Sequence, residues 1–196
     1  MKLWGATAKY LNEKIKDHKF FIVPLGFDEI NQSVESGDVD FALVNPSIYV
    51  ELEMKYDVSR LITLKSQVSG KELIRFGGVI FTSSTNTTIN TLEDIKNKSF
   101  VAVDAESFGG WQTEWKEFLD HGIDPYKEFA KLDFAGTQEQ TVYKVLSGEY
   151  DAGATRTGIL EQLAQEGKIK LSDIKILNQC TSCNFPFLHS TQIYPE

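Results

Sequence analysis

Two stretches of the sequence repeat one pattern, and this repeat constrains the fold more than any other feature. Residues 36–47 read SGDVDFALVNPS and residues 147–158 read SGEYDAGATRTG. In each stretch a helix is expected to end at Ser-Gly, an acidic turn leads to Asp, and a short run of small or apolar residues ends where a new helix begins. Open α/β sheets bind ligands where the carboxyl end of a strand meets a helix N-terminus. Two such places predict two lobes facing one cleft.

The composition is that of a folded acidic protein. The 196 residues carry a formal net charge of −8 and are 41% hydrophobic, which is enough for real cores. A nucleic-acid partner is not expected, because phosphate binding needs a dense basic face and the lysines are scattered. No apolar run approaches the length of a membrane span, so we expect attachment to a membrane only through flanking segments absent from this sequence.

Short strands alternate with helices, which predicts βαβ units and mostly parallel sheets. Helices are predicted over residues 3–15, 28–35, 46–55, 110–119, 138–146 and 158–164, with another starting near residue 92. Buried strands are predicted over residues 20–25, 41–44, 100–103, 132–134, 152–155 and 174–177. Longer extended segments are predicted over residues 60–67 and 72–83.

A polar loop over residues 83–88 interrupts the alternation and places a lobe boundary near residues 78–90. Because the last predicted strand follows the second lobe, the chain is expected to cross back to the first lobe, which gives two crossover strands. The predicted lobes are residues 1–78 with 178–196, and residues 79–177.

A glycine-rich loop after the strand that ends near Asp104 is a candidate binding loop. Its turn would let backbone N–H groups of the following helix point at an anion, with an aromatic side chain as a wall. The alternative is a serine N-cap with glycines that only allow a tight turn. The loop residues expected at the site are Ser107, Phe108, Gly109, Gly110 and Trp111.

Arg156 is the strongest single candidate for contact with a ligand. It is one of three arginines, and it ends an apolar strand just before a helix. A planar guanidinium at such a place suits bidentate capture of an oxyanion, and the alternative is a structural ion pair with a carboxylate. The sequence therefore favours a small anionic ligand.

Five other polar positions are candidates with weaker support. Asn45, Ser47 and Tyr49 suit either ligand contact or helix capping and packing. Thr137 suits either a cap or a ligand hydroxyl. Arg75 belongs to the candidate ligand set, with a salt bridge on a crossover strand as the alternative.

Cys180 and Cys183 form a CxxC pair whose role stays open. A disulfide, two idle thiols, redox or ligand sensing, and half of a metal site are all compatible with this spacing. The nearest further ligand is His189, and no second CxxC exists, so no metal is predicted. The hypothesis that Cys180 contacts the ligand rests on its expected position near the cleft.

Sequence motifs for catalysis are missing. The sequence has no nucleophile elbow, no phosphate-binding Walker loop and no histidine cluster at metal-binding spacing. We therefore expect a binding domain without a cofactor, although abundant carboxylates keep an enzyme open as an alternative.

Several phrases of the sequence resemble the phosphonate-binding, PhnD-like branch of type II periplasmic binding proteins. They are VDFALVNPS from residue 39, RFGGVIF from residue 75, SFGGW from residue 107, DAG with RTG from residue 151, and STQIYPE from residue 190. The SFGGW, RTG and STQIYPE forms are most similar to the extracytoplasmic sensor regions of bacterial histidine kinases, including the tetrathionate-sensor type.

The resemblance implies two α/β lobes, two crossover strands and closure on a small ligand. It implies a non-catalytic sensor domain, outside the cytoplasm, of an inner-membrane histidine kinase in a two-component system. The alternatives are a solute-binding protein of a phosphonate or oxyanion ABC transporter and an enzyme on the same fold. The fold also has a strand ahead of the first helix, which this sequence does not show, so a neighbour that supplies it in a homodimer stays an alternative.

Overall fold

The computed structural model describes residues 4–68, 71–73, 75–179, 185–186 and 191–192. The chain divides into two compact units, Met1–Asp38 and Val39–Glu196. Helices in the described residues are α1 Gly5–Lys14, α2 Phe27–Glu35, α3 Pro46–Tyr56, α4 Gln112–Asp120, α5 Pro125–Glu128, α6 Gln138–Leu146 and α7 Ile159–Gln165. None of the helices in this part of the chain is long and apolar enough to cross a membrane.

Strands in the described residues are short, and all of them lie in the second unit. They are β1 Phe41–Ala42, β2 Ser59–Arg60, β3 Ser66–Val68, β4 Lys71–Leu73, β5 Arg75–Phe76, β6 Gly78–Ser83, β7 Ser99–Ala102, β8 Lys131–Phe134, β9 Ala152–Arg156, β10 Ile174–Gln179, β11 Phe185–Pro186 and β12 Thr191–Gln192. Three-residue 3-10 helices lie at Glu93–Ile95, Phe108–Gly110 and Leu171–Asp173.

The first unit contains α1, α2 and the apolar segment between them. Residues 20–25 were predicted to be a buried strand, and this is wrong: the segment forms no strand, and Phe21 and Val23 are 70% and 61% exposed. Its first residue bonds back to α1, where Asn12 accepts from the backbone N–H of Phe20 at 2.8 Å and donates to its carbonyl at 2.9 Å. An apolar run becomes a strand only where a partner strand covers its polar backbone, and none of the described strands pairs with it.

The second unit is built on a five-stranded sheet with the order β10-β6-β9-β7-β8. β7 lies parallel to both β8 and β9, whereas β6 runs antiparallel to β9 and β10. The sheet is therefore mixed, and its three parallel strands end at one edge. Smaller sheets pair β1 and β2 with β12, β5 with β11, and β3 with β4.

Side chains alternate across this sheet and form two apolar cores. On one face Ile80, Phe100 and Ala154 pack with aromatic residues of α4 and the segment that follows it. On the other face Val79, Phe81 and Val101 pack against α6 and α7. The period of two along each strand produces this division, because successive side chains point to opposite faces.

Three further sequence predictions are modified by the structure. The helix expected from residue 92 is only the 3-10 turn Glu93–Ile95, and the strand expected over 41–44 is reduced to β1. A 3-10 turn precedes α4, which begins at Gln112 rather than at residue 110. The proposed lobes, residues 1–78 with 178–196 and residues 79–177, stay a prediction.

Removing the ring at the centre of the first core should destabilise the second unit strongly. Phe100 is fully buried, with the rings of Phe118 and Phe129 at 5.5 and 5.2 Å between centroids. We expect Phe100→Ala to lower the free energy of unfolding by about 3–5 kcal/mol, measured by urea denaturation. The control Phe41→Ala removes a 51%-exposed ring in the same unit and should cost less than about 1 kcal/mol. Equal effects of the two substitutions would contradict this assignment of the core.

Candidate functional site

Three loops gather at the carboxyl ends of the parallel strands. The loop after β7 and the loop after β8 touch through the backbone N–H of Gly136, which donates to the carbonyl of Val103 at 2.8 Å. After β9, the backbone N–H of Thr157 donates to the carbonyl of Gly77 at 2.9 Å, and the Thr157 hydroxyl accepts from the Gly77 N–H at 3.2 Å. This is the sheet edge at which α/β folds bind ligands.

Arg156 ends β9 at this edge and is half-buried. Burial lowers the pKa of its guanidinium, because removing the cation from water disfavours the charged form. Within the part of the chain that the structure describes, no carboxylate lies in ion-pair range of this guanidinium. The structural ion pair that was the alternative for Arg156 is therefore not provided by the described residues.

Gln138 fixes the backbone around Arg156, and sequence analysis did not identify it. Its Oε1 accepts from the backbone N–H of Arg156 at 2.9 Å and from the hydroxyl of Thr155 at 2.6 Å. Thr137, directly before it, acts as the N-cap of α6, where its Oγ1 accepts from the N–H of Gln140 at 3.2 Å. The capping role of Thr137 is thus observed, and its contact with ligand stays a prediction.

Asn45 links the start of α3 to the loop after β7. Its Oδ1 accepts from the N–H groups of Ser47 and Ile48 at 2.9 and 3.1 Å, which makes it the N-cap. Its Nδ2 donates to the carbonyl of Glu106 at 3.2 Å. Ser47 is half-buried beside it, so both residues lie where α3 meets that loop.

Tyr49 is buried, and its hydroxyl makes a hydrogen bond within α3. It is 8% exposed, and its hydroxyl donates to the carboxylate of Glu53 one turn along α3. That hydrogen bond, together with burial, raises the pKa of the phenol. The role of Tyr49 in packing is therefore observed, and its contact with ligand stays a prediction.

The glycine-rich loop folds onto itself. Ser107 is 4% exposed, its N–H donates to the carbonyl of Asp104 at 3.1 Å, and its carbonyl accepts from the N–H of Gln112 at 3.1 Å. Its side chain makes no capping hydrogen bond to the 3-10 turn Phe108–Gly110. A Cβ on Gly110 would lie 2.4 Å from the Val103 side chain, which explains the glycine at this position. Gly109 and Gly110 are both buried, whereas Phe108 is half-buried.

Trp111 lies in the core and not on an accessible wall, which corrects the predicted role of its side chain. It is 0% exposed and stacks on Trp115 with 6.2 Å between ring centroids. The rings of Tyr126 and Phe134 meet it edge to face. Trp111 directly precedes α4, and its indole packs into the core together with the apolar face of that amphipathic helix.

Glu114, in the first turn of α4, is a second residue that sequence analysis missed. Its side chain is fully buried, and burial raises its pKa well above the ordinary 4.5. Oε2 accepts from the hydroxyl of Thr113 at 2.9 Å, whereas Oε1 has no hydrogen-bond partner among the described residues. Oε1 lies against the backbone of Gly78, at the start of β6.

Three predicted site residues are described only in part or not at all. Arg75 lies in β5, where it pairs with Pro186 of β11. The structure describes its place in the strand and not its side chain. Cys180 and Cys183 lie outside the described residues. The structure thus brings together Asn45, the loop 104–111, Thr137 and Arg156 around one edge of the second unit.

Comparisons with known proteins agree with this architecture. The family model for periplasmic substrate-binding proteins of phosphonate ABC transporters matches residues 1–196. The tetrathionate sensor histidine kinase TtrS of Salmonella typhimurium is 30% identical over 195 residues, which are 98% of this chain and 32% of TtrS. The chain thus spans about a third of the length of this relative.

Two solved structures share the fold at low sequence identity. PhnD1 of Prochlorococcus marinus, in complex with methylphosphonate, has a TM-score of 0.83 and 18% identity over 98% of this chain and 70% of its own. A binding-protein component of a phosphonate ABC transporter from Pseudomonas aeruginosa has a TM-score of 0.78 and 16% identity over 100% of this chain and 64% of its own. The predicted α/β fold of the type II periplasmic binding proteins is confirmed.

A side chain at position 78 should be incompatible with the buried carboxyl. A Cβ on Gly78 would lie 1.1 Å from Oε1 of Glu114, so Gly78→Ala must displace Glu114 or β6. We expect the free energy of unfolding to fall by about 1–3 kcal/mol, as in other overpacked cores. The control Gly5→Ala, in α1 with nothing within 4 Å, should leave stability equal or slightly raised. A stable Gly78→Ala variant in denaturant titration would contradict the packing described.

Proposed function

This chain belongs to the family of phosphonate-type periplasmic substrate-binding proteins, and we propose that it is the ligand-sensing domain of a two-component histidine kinase. The family makes it an extracytoplasmic ligand-binding domain and not a catalytic one. In the proposed protein, kinase chemistry would belong to other parts of the full chain, and binding of a small ligand would shift a two-state signal.

The match to a sensor kinase carries this proposal. The identity of 30% extends over 195 residues, so it covers the whole domain and not only a shared motif. TtrS is by name a sensor of tetrathionate, and this chain spans 32% of it. Anchoring in the inner membrane through segments outside this sequence is part of the proposal, as is a homodimer, which symmetric signalling proteins commonly form.

A small anion is the proposed ligand, and Arg156 is its proposed main contact. A half-buried guanidinium without a carboxylate partner among the described residues carries a desolvation cost that a bound anion would offset. Around it, Asn45, Ser47, Thr137 and the loop Ser107–Gly110 offer polar groups for the remaining oxygens. Tyr49, Arg75 and Cys180 stay members of the proposed set, whereas the side chain of Trp111 belongs to the core.

A solute-binding protein of an ABC transporter is the second candidate function. The family description and the Pseudomonas aeruginosa protein favour it, because both are named as binding components of phosphonate ABC transporters, and PhnD1 is in complex with methylphosphonate. Both candidates make the same prediction about the cleft and differ only in what the closed domain contacts. An enzyme on this fold has the least support, since no observation at the site favours catalysis.

A screen of anions by thermal shift tests the proposed ligand class. Tetrathionate, thiosulfate, sulfate, phosphate, methylphosphonate and short carboxylates should be compared at equal ionic strength. A ligand at about a hundred times its dissociation constant should stabilise the chain by about 2.7 kcal/mol, which raises the melting temperature by several degrees. Tetrathionate as the selective ligand would support the sensor, and methylphosphonate the transporter component. No shift with any anion would count against an anionic ligand.

Replacement of Arg156 tests the proposed contact. We expect Arg156→Ala to weaken binding of the selected anion at least tenfold in calorimetry, because charge-assisted hydrogen bonds contribute about 1.5–3 kcal/mol. The melting temperature without ligand should stay equal or rise, since a desolvated cation is removed. The matched control Arg60→Ala removes an exposed arginine and should keep full affinity. Equal affinities in both variants would remove Arg156 from the site.

A further inference from the structure

Helix α4 exposes apolar side chains on the face that it turns away from the sheet. Trp115 and Leu119 lie one turn apart on this helix and are 36% and 49% exposed. The helices on the other face of the sheet differ, because no exposed large apolar side chain lies on α6 or α7, which the structure describes throughout. An amphipathic surface helix normally keeps such residues on its buried side. The outer face of α4 therefore lacks the polar covering that a free surface usually has.

Two further aromatic rings extend this face into a contiguous patch. The rings of Trp115 and Tyr126 meet edge to face with 5.4 Å between centroids. Phe134 joins the cluster through Trp111, whose ring centroid lies 5.9 Å from that of Phe134 and 6.0 Å from that of Tyr126. Tyr126 and Phe134 are 56% and 40% exposed. These residues form the α4 patch, which consists of Trp115, Leu119, Tyr126 and Phe134, and contiguous exposed apolar surface of this kind marks interaction sites.

A charged row runs beside the apolar residues of α4. Lys116 and Asp120 have the same four-residue spacing as the two apolar residues, and they form an exposed ion pair at 2.5 Å. Beside Tyr126, Lys127 pairs with Asp124 at 2.6 Å. These two ion pairs give the rim of the patch both signs in equal number, although the whole chain carries a net charge of −8. A strongly charged partner would gain little at such a rim, whereas a partner with a matching alternation of charge fits it.

Antiparallel packing of α4 against α4 of a second copy would match both rows at once. A twofold axis perpendicular to the two helices sets each row opposite the same row of the other copy and reverses its direction. Trp115 then faces Leu119 of the second copy, and Lys116 faces Asp120 of the second copy. A parallel pair would instead set each apolar row against a charged row. The pattern of α4 therefore favours an antiparallel twofold contact.

We propose that the α4 patch is the interface of a homodimer, in which the α4 helices of two copies pack antiparallel across a twofold axis. This inference rests on the homodimer of the proposed function and names the surface through which it forms. The four apolar side chains supply the area removed from water, and aromatic residues are typical of the centre of such interfaces. The charged row supplies the pairing that selects the antiparallel orientation.

The proposed interface lies one ring away from the candidate binding loop. Trp111 directly follows the loop residues Ser107–Gly110, and its indole stacks on Trp115 with 6.2 Å between centroids and 5° between ring planes. A ligand that moves this loop would therefore move a ring that supports the interface. Because such coupling is reciprocal, the same ligand would change the dissociation constant of the dimer. The α4 patch thus gives the proposed sensor a route from ligand to subunit contact.

Sedimentation equilibrium of the chain without ligand tests the interface. We expect a monomer–dimer equilibrium with a dissociation constant below about 1 mM, the weak end of specific association. Leu119→Asp puts a charge into the apolar row and should weaken the dimer at least tenfold, with an unchanged circular dichroism spectrum. The matched control Met54→Asp alters an 82%-exposed residue of α3 and should leave the dimer unchanged. A monomer at about 1 mM, or equal dissociation constants for the two variants, would overturn the proposal.

Charge exchange tests the antiparallel pairing itself. Lys116→Asp and Asp120→Lys each set like charges against each other across the interface, so either variant alone should dimerise at least tenfold more weakly. Mixed in equal amounts, the two variants set opposite charges at both contacts and should form a heterodimer. A mixture that associates no better than its components would overturn the proposal. Both substitutions change exposed side chains only, so they also decide the matter if Leu119→Asp fails to fold.

Helix α3 provides the matched control for this exchange. Glu51 and Lys55 form an ion pair at 2.5 Å with the same four-residue spacing. Lys55→Glu and Glu51→Lys produce the same changes in net charge as the two α4 variants. Each should dimerise like the unchanged chain, and mixing them should add nothing. An equal loss of dimer in the α3 and α4 variants would show that net charge alone is responsible, and would overturn the proposed interface.

Dimerisation is measured without ligand, which separates this inference from the proposed anion-binding function. A chain that dimerises through α4 but binds none of the anions in the thermal-shift screen would support the interface and count against the proposed ligand. A chain that binds an anion but stays monomeric would overturn the interface and leave the proposed ligand unaffected.

Discussion

Parallel pairing of β7 with β8 and β9 is the constraint on which the site depends. Strands that run in the same direction end at one edge of the sheet, so the loops after them converge whatever their sequences. The fully buried Phe100 and Val101 of β7 fix the register, because a slip by one residue would exchange the two cores. β6 runs the other way, and its beginning at Gly78 therefore meets the same edge, beside the end of β9.

Two ionisable groups share this edge, and each would be costly alone. A half-buried guanidinium and a fully buried carboxyl both lose hydration, and a close ion pair would be the usual compensation. Burial instead raises the pKa of Glu114 well above its ordinary value, and Arg156 has no carboxylate partner among the described residues. A half-buried guanidinium without such a partner loses hydration at a cost in stability, and this pattern is more typical of a binding site than of a structural core.

Local patterns in the sequence predicted α2, α3, α6, β7 and β9 to within about two residues, because helix periodicity, caps and short apolar runs are local signals. The positions of Arg156 and Thr137 followed from the same signals. Residues 20–25 were mispredicted since burial depends on a partner strand that no local pattern encodes. Glu114 was missed because an acidic residue in the first turn of an amphipathic helix normally faces solvent. Its carboxyl is buried here in the space that a side chain at position 78 would otherwise occupy.

The contact between Asn45 and the loop after β7 shows how such a site can respond to ligand. One amide both caps α3 and donates to the carbonyl of Glu106, so a neutral hydrogen bond joins the two segments. Such a bond contributes only about 0.5–1.5 kcal/mol, whereas the cap on α3 is independent of it. An anion that binds the loop more tightly in one arrangement than in the other needs only that differential energy to make or break the contact. A hydrogen bond of this modest strength between α3 and the loop after β7 therefore suits the proposed sensor, which would report binding through its conformation.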